Sequence, residues 1–292
     1  MKFLEKLGFG KKPAPTRPVE KAPTAPPLKV DAELLSDVGC VRDSNEDNGR
    51  IFRHQTNGYV SGVLAVVADG MGGHAAGEVA SARAVEVLEQ AYPAMQESNP
   101  GQRLRQALED ANAAIHNQAN RETEKRGMGT TCTALLLQDG YAYSAHVGDS
   151  RLYLIRNGAI YLMTEDHSAV MELVKSGDLT LSEARHHPDK NVITRSLGSR
   201  DKVEVSVWPE PLRVYAGDRF ILCSDGLYDE VEDDEMCATA LPNRPAEICA
   251  QLVKLARERG GPDNITIAVV ETADCRQSTE VGATRQVKAV AQ

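Results

Sequence analysis

Two Asx-Gly pairs set the strongest limit on what this chain can fold into. The apolar run TTCTALLLQ (130–138) meets Asp139-Gly140 and continues as YAYSAHV (141–147), and RLYLIR (151–156) meets Asn157-Gly158 and continues as AIYLMT (159–164). A two-residue Asx-Gly loop has the backbone twist that joins neighbouring antiparallel strands. Two such hairpins in succession argue for antiparallel sheet and against a doubly wound parallel sheet, whose strands alternate with helices.

The flanking segments fill in an α+β body. LLSDVG, near Asp31, reads as a first short strand and Arg50–His54 as a second, and the apolar run VLAVVA (63–68) is long enough for one buried strand. Helices are predicted over about Ala75–Ala91 and Gly101–Arg121, where Leu104, Leu108, Ala111 and Ile115 recur at helical spacing. Adjacent in sequence, the two should pack antiparallel. Residues 166–200 are polar and weakly patterned, with one or two short helices, and read as an insertion over the sheet. Strands VEVSVW and DRFILCS, helices over about Glu232–Leu241 and Pro245–Arg259, and a last strand NITIAVVE complete the body.

Composition matters most at the ends. Residues 11–28 hold six of the 14 prolines, the mark of an extended, solvated linker. This gives a basic Pro-rich tail at 1–30, a body at 31–273 and a loose tail at 274–292. Phe3, Leu4, Leu7 and Phe9 suit either a short amphipathic turn docking on a partner or membrane, or a frayed terminus. No apolar run approaches the ~20 residues of a membrane-spanning helix, and the start is too short and charged for a secretory signal, so a cytoplasmic protein is expected. Six cysteines without a CxxC pair read as small, reduced, buried hydrophobes. Residues 1–30 carry seven Lys/Arg against two Glu, which leaves 26 basic and 40 acidic residues in the remainder. So acidic a body argues against nucleic acid as a partner.

Where the acids stand is more telling than their number. Asp69 follows VLAVVA, Asp149 follows YSAHVG, Asp225 follows RFILCS, Asp263 precedes NITIAVV, and Glu46 and Asp47 precede a strand. In an antiparallel sheet the end of one strand lies beside the start of its neighbour, so these acids can gather at one edge. Six carboxylates there repel unless cations sit among them, and oxygen-only ligation suits Mg²⁺ or Mn²⁺. Zinc calls for Cys and His, which are not grouped. Gly70, Gly72 and Gly73 free the backbone after Asp69 for close approach to a ligand. Each acid alone also fits a turn or a capping residue. Arg42 fits either a surface pair with Asp43 or Glu46, or a planar fork for phosphate.

The ordered series RDSNEDN, VADGMGGHAAGEVAS, GTTCTALLL, HVGDSRLYLIRNG, EDHS, RSLG, LCSDGLYD and DNITIAVV resembles that of the bacterial metal-dependent protein serine/threonine phosphatases, the PPM or PP2C family, over about Leu34 to Val270. The resemblance implies a β-sandwich of two antiparallel sheets flanked by antiparallel helix pairs, a flap at about 166–200, and a binuclear Mn²⁺ or Mg²⁺ centre. It implies that Asp69 bridges the ions and Gly70 offers its carbonyl. Asp47, Asp225 and Asp263 are then further ligands, Glu46 acts directly or through water, and Asp149 helps hold a third, weaker ion. Arg42 would hold the substrate phosphate while metal-activated water attacks phosphorus. Many eukaryotic members place His directly after the Asp-Gly; Met71 stands there here, so the candidate general acid is His74 or a metal-bound water, and His74 also fits a structural role at the helix start. His167 is expected to make a structural hydrogen bond. The implied partners are phosphorylated proteins and a Ser/Thr kinase with its substrates, and a monomer is expected. A non-catalytic module that binds phosphoproteins or senses a small molecule is the alternative class. Every mapped ligand is present, which favours an enzyme, whether broad or dedicated to one regulatory protein.

Overall fold

The computed structural model describes residues 28–56, 59–72, 75–95 and 99–274. The 1–30 tail up to residue 27, residues 275–292 and His74 lie outside the described residues. In chain order the elements are β1 (Leu28–Asp37), β2 (Asp47–Thr56), β3 (Tyr59–Met71), α1 (Ala75–Met95), α2 (Pro100–Arg121), β4 (Gly129–Thr130), β5 (Cys132–Gln138), β6 (Tyr141–Val147), β7 (Arg151–Arg156) and β8 (Ala159–Leu162). They continue with α3 (Ala169–Ser176), α4 (Leu181–Arg185), β9 (Ser206–Val207), β10 (Leu212–Arg213), β11 (Arg219–Cys223), α5 (Asp225–Tyr228), α6 (Asp233–Ala240), α7 (Pro245–Glu258) and β12 (Ile265–Asp274).

One sheet runs β1-β12-β11-β7-β8 and the other β10-β6-β5-β3-β2, with β4 on β3 and β9 on β6; every pairing is antiparallel. Both hairpin turns have positive φ at each central residue, 51° and 79° at Asp139 and Gly140 and 54° and 78° at Asn157 and Gly158. That is the mirror-image turn which Asx-Gly tolerates best.

The strand period of two sorts the apolar residues into three cores. On β3, Val63, Ala65 and Val67 face the space between the sheets, where they meet Leu152, Phe220, Leu222, Ala268 and Val270. The alternate residues Leu64, Val66 and Ala68 face outward under α1 and α2, against Ala84, Leu88, Leu104, Leu108 and Ile115. On the opposite side Ile221, Cys223, Ile267 and Val269 pack under α6 and α7, against Met236, Ile248, Leu252 and Ala256. VLAVVA is a continuous apolar run because both of its faces are covered.

Three details depart from the sequence expectation. β1 begins at Leu28, ahead of Asp31, because Leu28, Lys29 and Val30 still find partners in β12. The strand expected over VEVSVW shrinks to β9, and β10 carries the edge on after a gap. Pro209 and Pro211 fall in that gap and have no N–H to give to β6. Cys40 is exposed, whereas Cys132, Cys223, Cys237 and Cys249 are buried and free as expected.

Candidate metal and phosphate site

The antiparallel register delivers the acids to one edge. Asp47, at the start of β2, lies directly across from Asp69, near the end of β3. Asp225 opens α5 straight after β11, Asp263 stands just before β12, and Asp149 occupies the link from β6 to β7. A cleft of about 660 Å³ opens there, lined by Arg42, Glu46, Asp69, Gly70, Asp149, Asp225 and Asp263 among others. Asp47 is buried behind it, 7% exposed. Of the residues proposed in the sequence for the site, Gly73 and His74 lie outside the described residues.

The backbone of the site is tied down from several strands. Asp69 N–H donates to Thr131 Oγ1 (2.9 Å), and its carbonyl accepts from Thr131 N–H and Thr130 Oγ1 (both 2.8 Å). Ser224 Oγ donates to Asp47 Oδ2 (2.7 Å) while accepting from Thr266 N–H (2.9 Å). Gly70 is required by close approach, since a Cβ there would strike the carbonyl oxygens of Gly77 and Glu46. Without it the end of β3 could not pass between the Glu46 segment and the first turn of α1.

Electrostatics single out the same set. Burial pushes the carboxyl of Asp47 up to about 6, against the lowering effect of its Ser224 hydrogen bond. Asp69 is raised well above the ordinary carboxylate range, first by burial and then by the charges of Asp47, Asp225, Asp149 and Asp263. Asp225 is raised likewise by burial and then by Asp149 and Asp263. Burial, and then Asp166, carry Asp149 up to about 7. Arg42 lies on the rim, half exposed, and donates from Nη2 to Asp263 Oδ2 at 2.7 Å. It therefore pairs with Asp263, not with Asp43 or Glu46.

As they stand, no three His, Cys, Asp or Glu side chains among the described residues close round one point. Part of their capacity is spent elsewhere, Asp47 on Ser224 and Asp263 on Arg42. The chemistry of the set nevertheless fits divalent cations. It offers hard oxygen donors alone, no His or Cys among the described residues of the cleft, and aspartates that raise one another's pKa for want of positive charge.

Several contributors carry no signal in the sequence. Asn264 accepts from Glu46 N–H (2.8 Å) and donates to the carbonyls of Val38 (2.9 Å) and Ser44 (3.0 Å), pinning the loop that carries Arg42. It follows Asp263 in a DN pair that reads only as a turn. Asn191 and Ile193 reach the cleft from the flap. Asp166 emerges as the strongest charge on Asp149, held by Arg151. His167 does make structural bonds: its Nδ1 accepts from Gly148 N–H (3.0 Å) and its Nε2 meets Ser206 Oγ (3.0 Å). Burial lowers it to about 3, so it is neutral near pH 7, and its one N–H, on Nε2, is engaged by Ser206 Oγ.

Comparison with known proteins agrees with the geometry. The family model described as "Protein phosphatase 2C" matches residues 36–265. A serine/threonine phosphatase, stp, of Listeria monocytogenes is 38% identical over 247 residues, 83% of this chain and 96% of that protein. The crystal structure of the Mycobacterium tuberculosis serine/threonine phosphatase PstP/Ppp superposes with a TM-score of 0.76 at 37% identity, covering 84% of this chain and 98% of that one. The catalytic domain of PstP in complex with two manganese ions gives a TM-score of 0.74 at 35% identity, covering 85% and 100%. With its two antiparallel sheets, its acidic edge and a match across most of its length, the chain belongs to the protein phosphatase 2C family.

Proposed function

We propose that this chain hydrolyses phosphoserine and phosphothreonine in proteins, using two Mn²⁺ or Mg²⁺ ions held at the acidic edge. Asp69, Asp47, Asp225, Asp263 and the Gly70 carbonyl would hold them, with Glu46 contributing directly or through water and Asp149 helping to hold a third, weaker ion. When bound, the ions supply an activated water and positive charge beside phosphorus.

The remaining work falls to the chain. Arg42 offers its guanidinium to two phosphoryl oxygens, letting go of Asp263 to do so or sharing it. Asn264 keeps the Arg42 loop at a fixed height above Asp69 through its bonds to Glu46, Val38 and Ser44. Met71 lines the cleft where a proton donor would be useful, so leaving-group protonation falls to His74 or to water. The enzyme would act as a cytoplasmic monomer on phosphoproteins, opposite a Ser/Thr kinase. Four buried free thiols suit a reducing compartment, and among the described residues no helix is long and apolar enough to cross a membrane.

The observation that carries this reading is the set of buried and half-buried aspartates round Asp69 with Arg42 at the rim. Hydrolysis of p-nitrophenyl phosphate and of a phosphothreonine peptide should require Mn²⁺ and stop with EDTA or in Asp69→Asn. Activity that survives both treatments would overturn it.

A further inference from the structure

Next to the cleft lies a smaller cavity of about 170 Å³, enclosed between the flap helices α3 and α4, the sheet residues Arg151 and Leu162, and the α5–α6 region. At ~30 Å³ per water it has room for about five or six waters. That is too little for a small-molecule pocket of ~300–1,000 Å³ and enough for one long side chain.

Its walls and its charges point to one kind of occupant. Leu162, Val170, Met171, Leu181 and Ala184 supply apolar surface. Three cations reach the cavity, and each already has partners. Arg151 grips Asp166 at 2.7 Å and lies 3.8 Å over the Tyr228 ring. Lys190 meets Asp229 at 2.6 Å. Arg185 donates to the Tyr228 carbonyl at 2.7 Å and meets Glu232 at 3.2 Å. Asp233 is left over: its Oδ1 is buried without a hydrogen-bond partner. A buried carboxylate oxygen in that state is costly, and an N–H of a cation satisfies it best. Apolar walls beside a carboxylate with one unanswered oxygen match the aliphatic stem and charged head of Lys or Arg.

The cavity also sits at the right distance from the chemistry. Asn191 lines both spaces. Asp225 in the cleft and Asp229 at the cavity are four residues apart along one helical turn, about 6 Å at ~1.5 Å per residue. An extended peptide advances ~3.3 Å per residue.

We propose that this cavity receives a Lys or Arg side chain of the phosphoprotein, one to three residues from the phosphorylated residue, with Asp233 as its partner. The proposal rests on the phosphatase reading for the identity of the peptide and deepens it to a substrate class, phosphosites with a basic neighbour.

The test uses phosphothreonine peptides with a single Lys or Arg stepped from three residues before to three after the phosphothreonine, against all-Ala and Glu versions. Both kcat/KM with Mn²⁺ and Kd by fluorescence anisotropy are read, and p-nitrophenyl phosphate, which has no side chain to place there, reports the cleft alone. The full-length protein should prefer the basic peptide at one or two positions by about tenfold, the scale of one charge-assisted hydrogen bond. Asp233→Asn should reduce that ratio to about two or less, and so should Ala184→Met, which fills the cavity without touching Asp233. Absence of any basic preference, or its survival in both variants when their melting curves are intact, overturns the subsite. If nothing is hydrolysed while anisotropy still shows the Asp233-dependent preference, the phosphatase reading falls and the subsite stands.

Discussion

The acidic edge and the joint under the flap are both built from charged side chains, and they follow opposite rules. At the edge, five aspartates crowd together with one half-exposed guanidinium, and burial plus mutual repulsion raise the pKa values of Asp47, Asp69, Asp149 and Asp225. At the joint, Arg151, Arg185 and Lys190 each meet an acid, with Asp233 the exception. The edge holds unbalanced charge that bound cations relieve; the joint is balanced and fixes the flap. Function at the edge therefore costs stability, whereas the joint adds a little stability and sets position.

The sharpest way to break this contrast is Asp69→Asn. Activity on a phosphothreonine peptide with Mn²⁺ should fall on the order of 10³-fold, the scale of losing a central electrostatic group. The melting temperature measured without metal should rise, because one repelling charge has gone. A variant that is both inactive and less stable without metal would show that the aspartates support the fold.

A pH series examines the same imbalance without mutation. Asp47 and Asp149 have folded-state values of about 6 and about 7, above the ordinary carboxylate value of 3.8. A raised folded pKa means that the folded state binds more protons than the unfolded one between those values, so stability is lost as pH rises through the window. Without metal, the melting temperature should fall between about pH 4 and pH 7. The increment from added Mn²⁺ should grow over the same range, since cations displace those protons. A flat metal-free profile would mean that the edge carries no such strain.

Arg42→Ala should raise KM for phosphopeptide by about 10- to 100-fold, the loss of a charge-assisted fork, and Arg42→Lys should recover only part of it. Ser224→Ala removes the hydroxyl that donates to Asp47 Oδ2 at 2.7 Å, and leaves the side-chain hydrogen bonds of Asp47 to Thr266 and Asp69. Titration calorimetry should then show Mn²⁺ affinity about tenfold weaker, the low end for an outer partner of a ligand, with the fold retained. Unchanged affinity would mean that the Ser224 hydroxyl does not orient Asp47, and that its bonds to Thr266 and Asp69 suffice.

The two regions also differ in how far the sequence reveals them. The sheets were legible because a hairpin announces itself locally, in Asx-Gly turns and period-two runs such as YAYSAHV. The edge was legible because each acid sits where a strand stops or starts, and antiparallel pairing then brings those points together. Asn264, Ser224 and Asp166 were not, since their roles lie in partners up to 226 residues away and a polar residue beside a turn looks the same with or without them. VEVSVW reads as a whole strand because its own pattern is good, yet only Ser206 and Val207 pair with β6 as β9, and Pro209 and Pro211 interrupt the edge before β10. The flap was legible as a polar insertion with short helices, which α3 and α4 are, but its anchoring was not, because Lys190 and Arg185 reach across to α5 and its neighbours without any local signature.

The smallest effect expected is at the joint, and it decides whether joint and edge are separable. Lys190 and Asp229 are partly exposed, 35% and 16% at the side chain, so solvent screens their 2.6 Å pair. Lys190→Ala should therefore cost about 0.5 kcal/mol or less, or about 1–2 °C in melting temperature for a domain of this size. Hydrolysis of p-nitrophenyl phosphate should not change, because that substrate needs only the edge. The KM for a phosphopeptide should rise about two- to threefold, because Lys190 adjoins Asn191, which lines the cleft, and a flap less firmly tied to Asp229 presents Asn191 less uniformly. Lys190→Arg, which keeps the charge, should restore it. If both substrates slow equally in Lys190→Ala, the pair supports the geometry of the edge through Asp229 and α5, and the two regions act as one electrostatic unit.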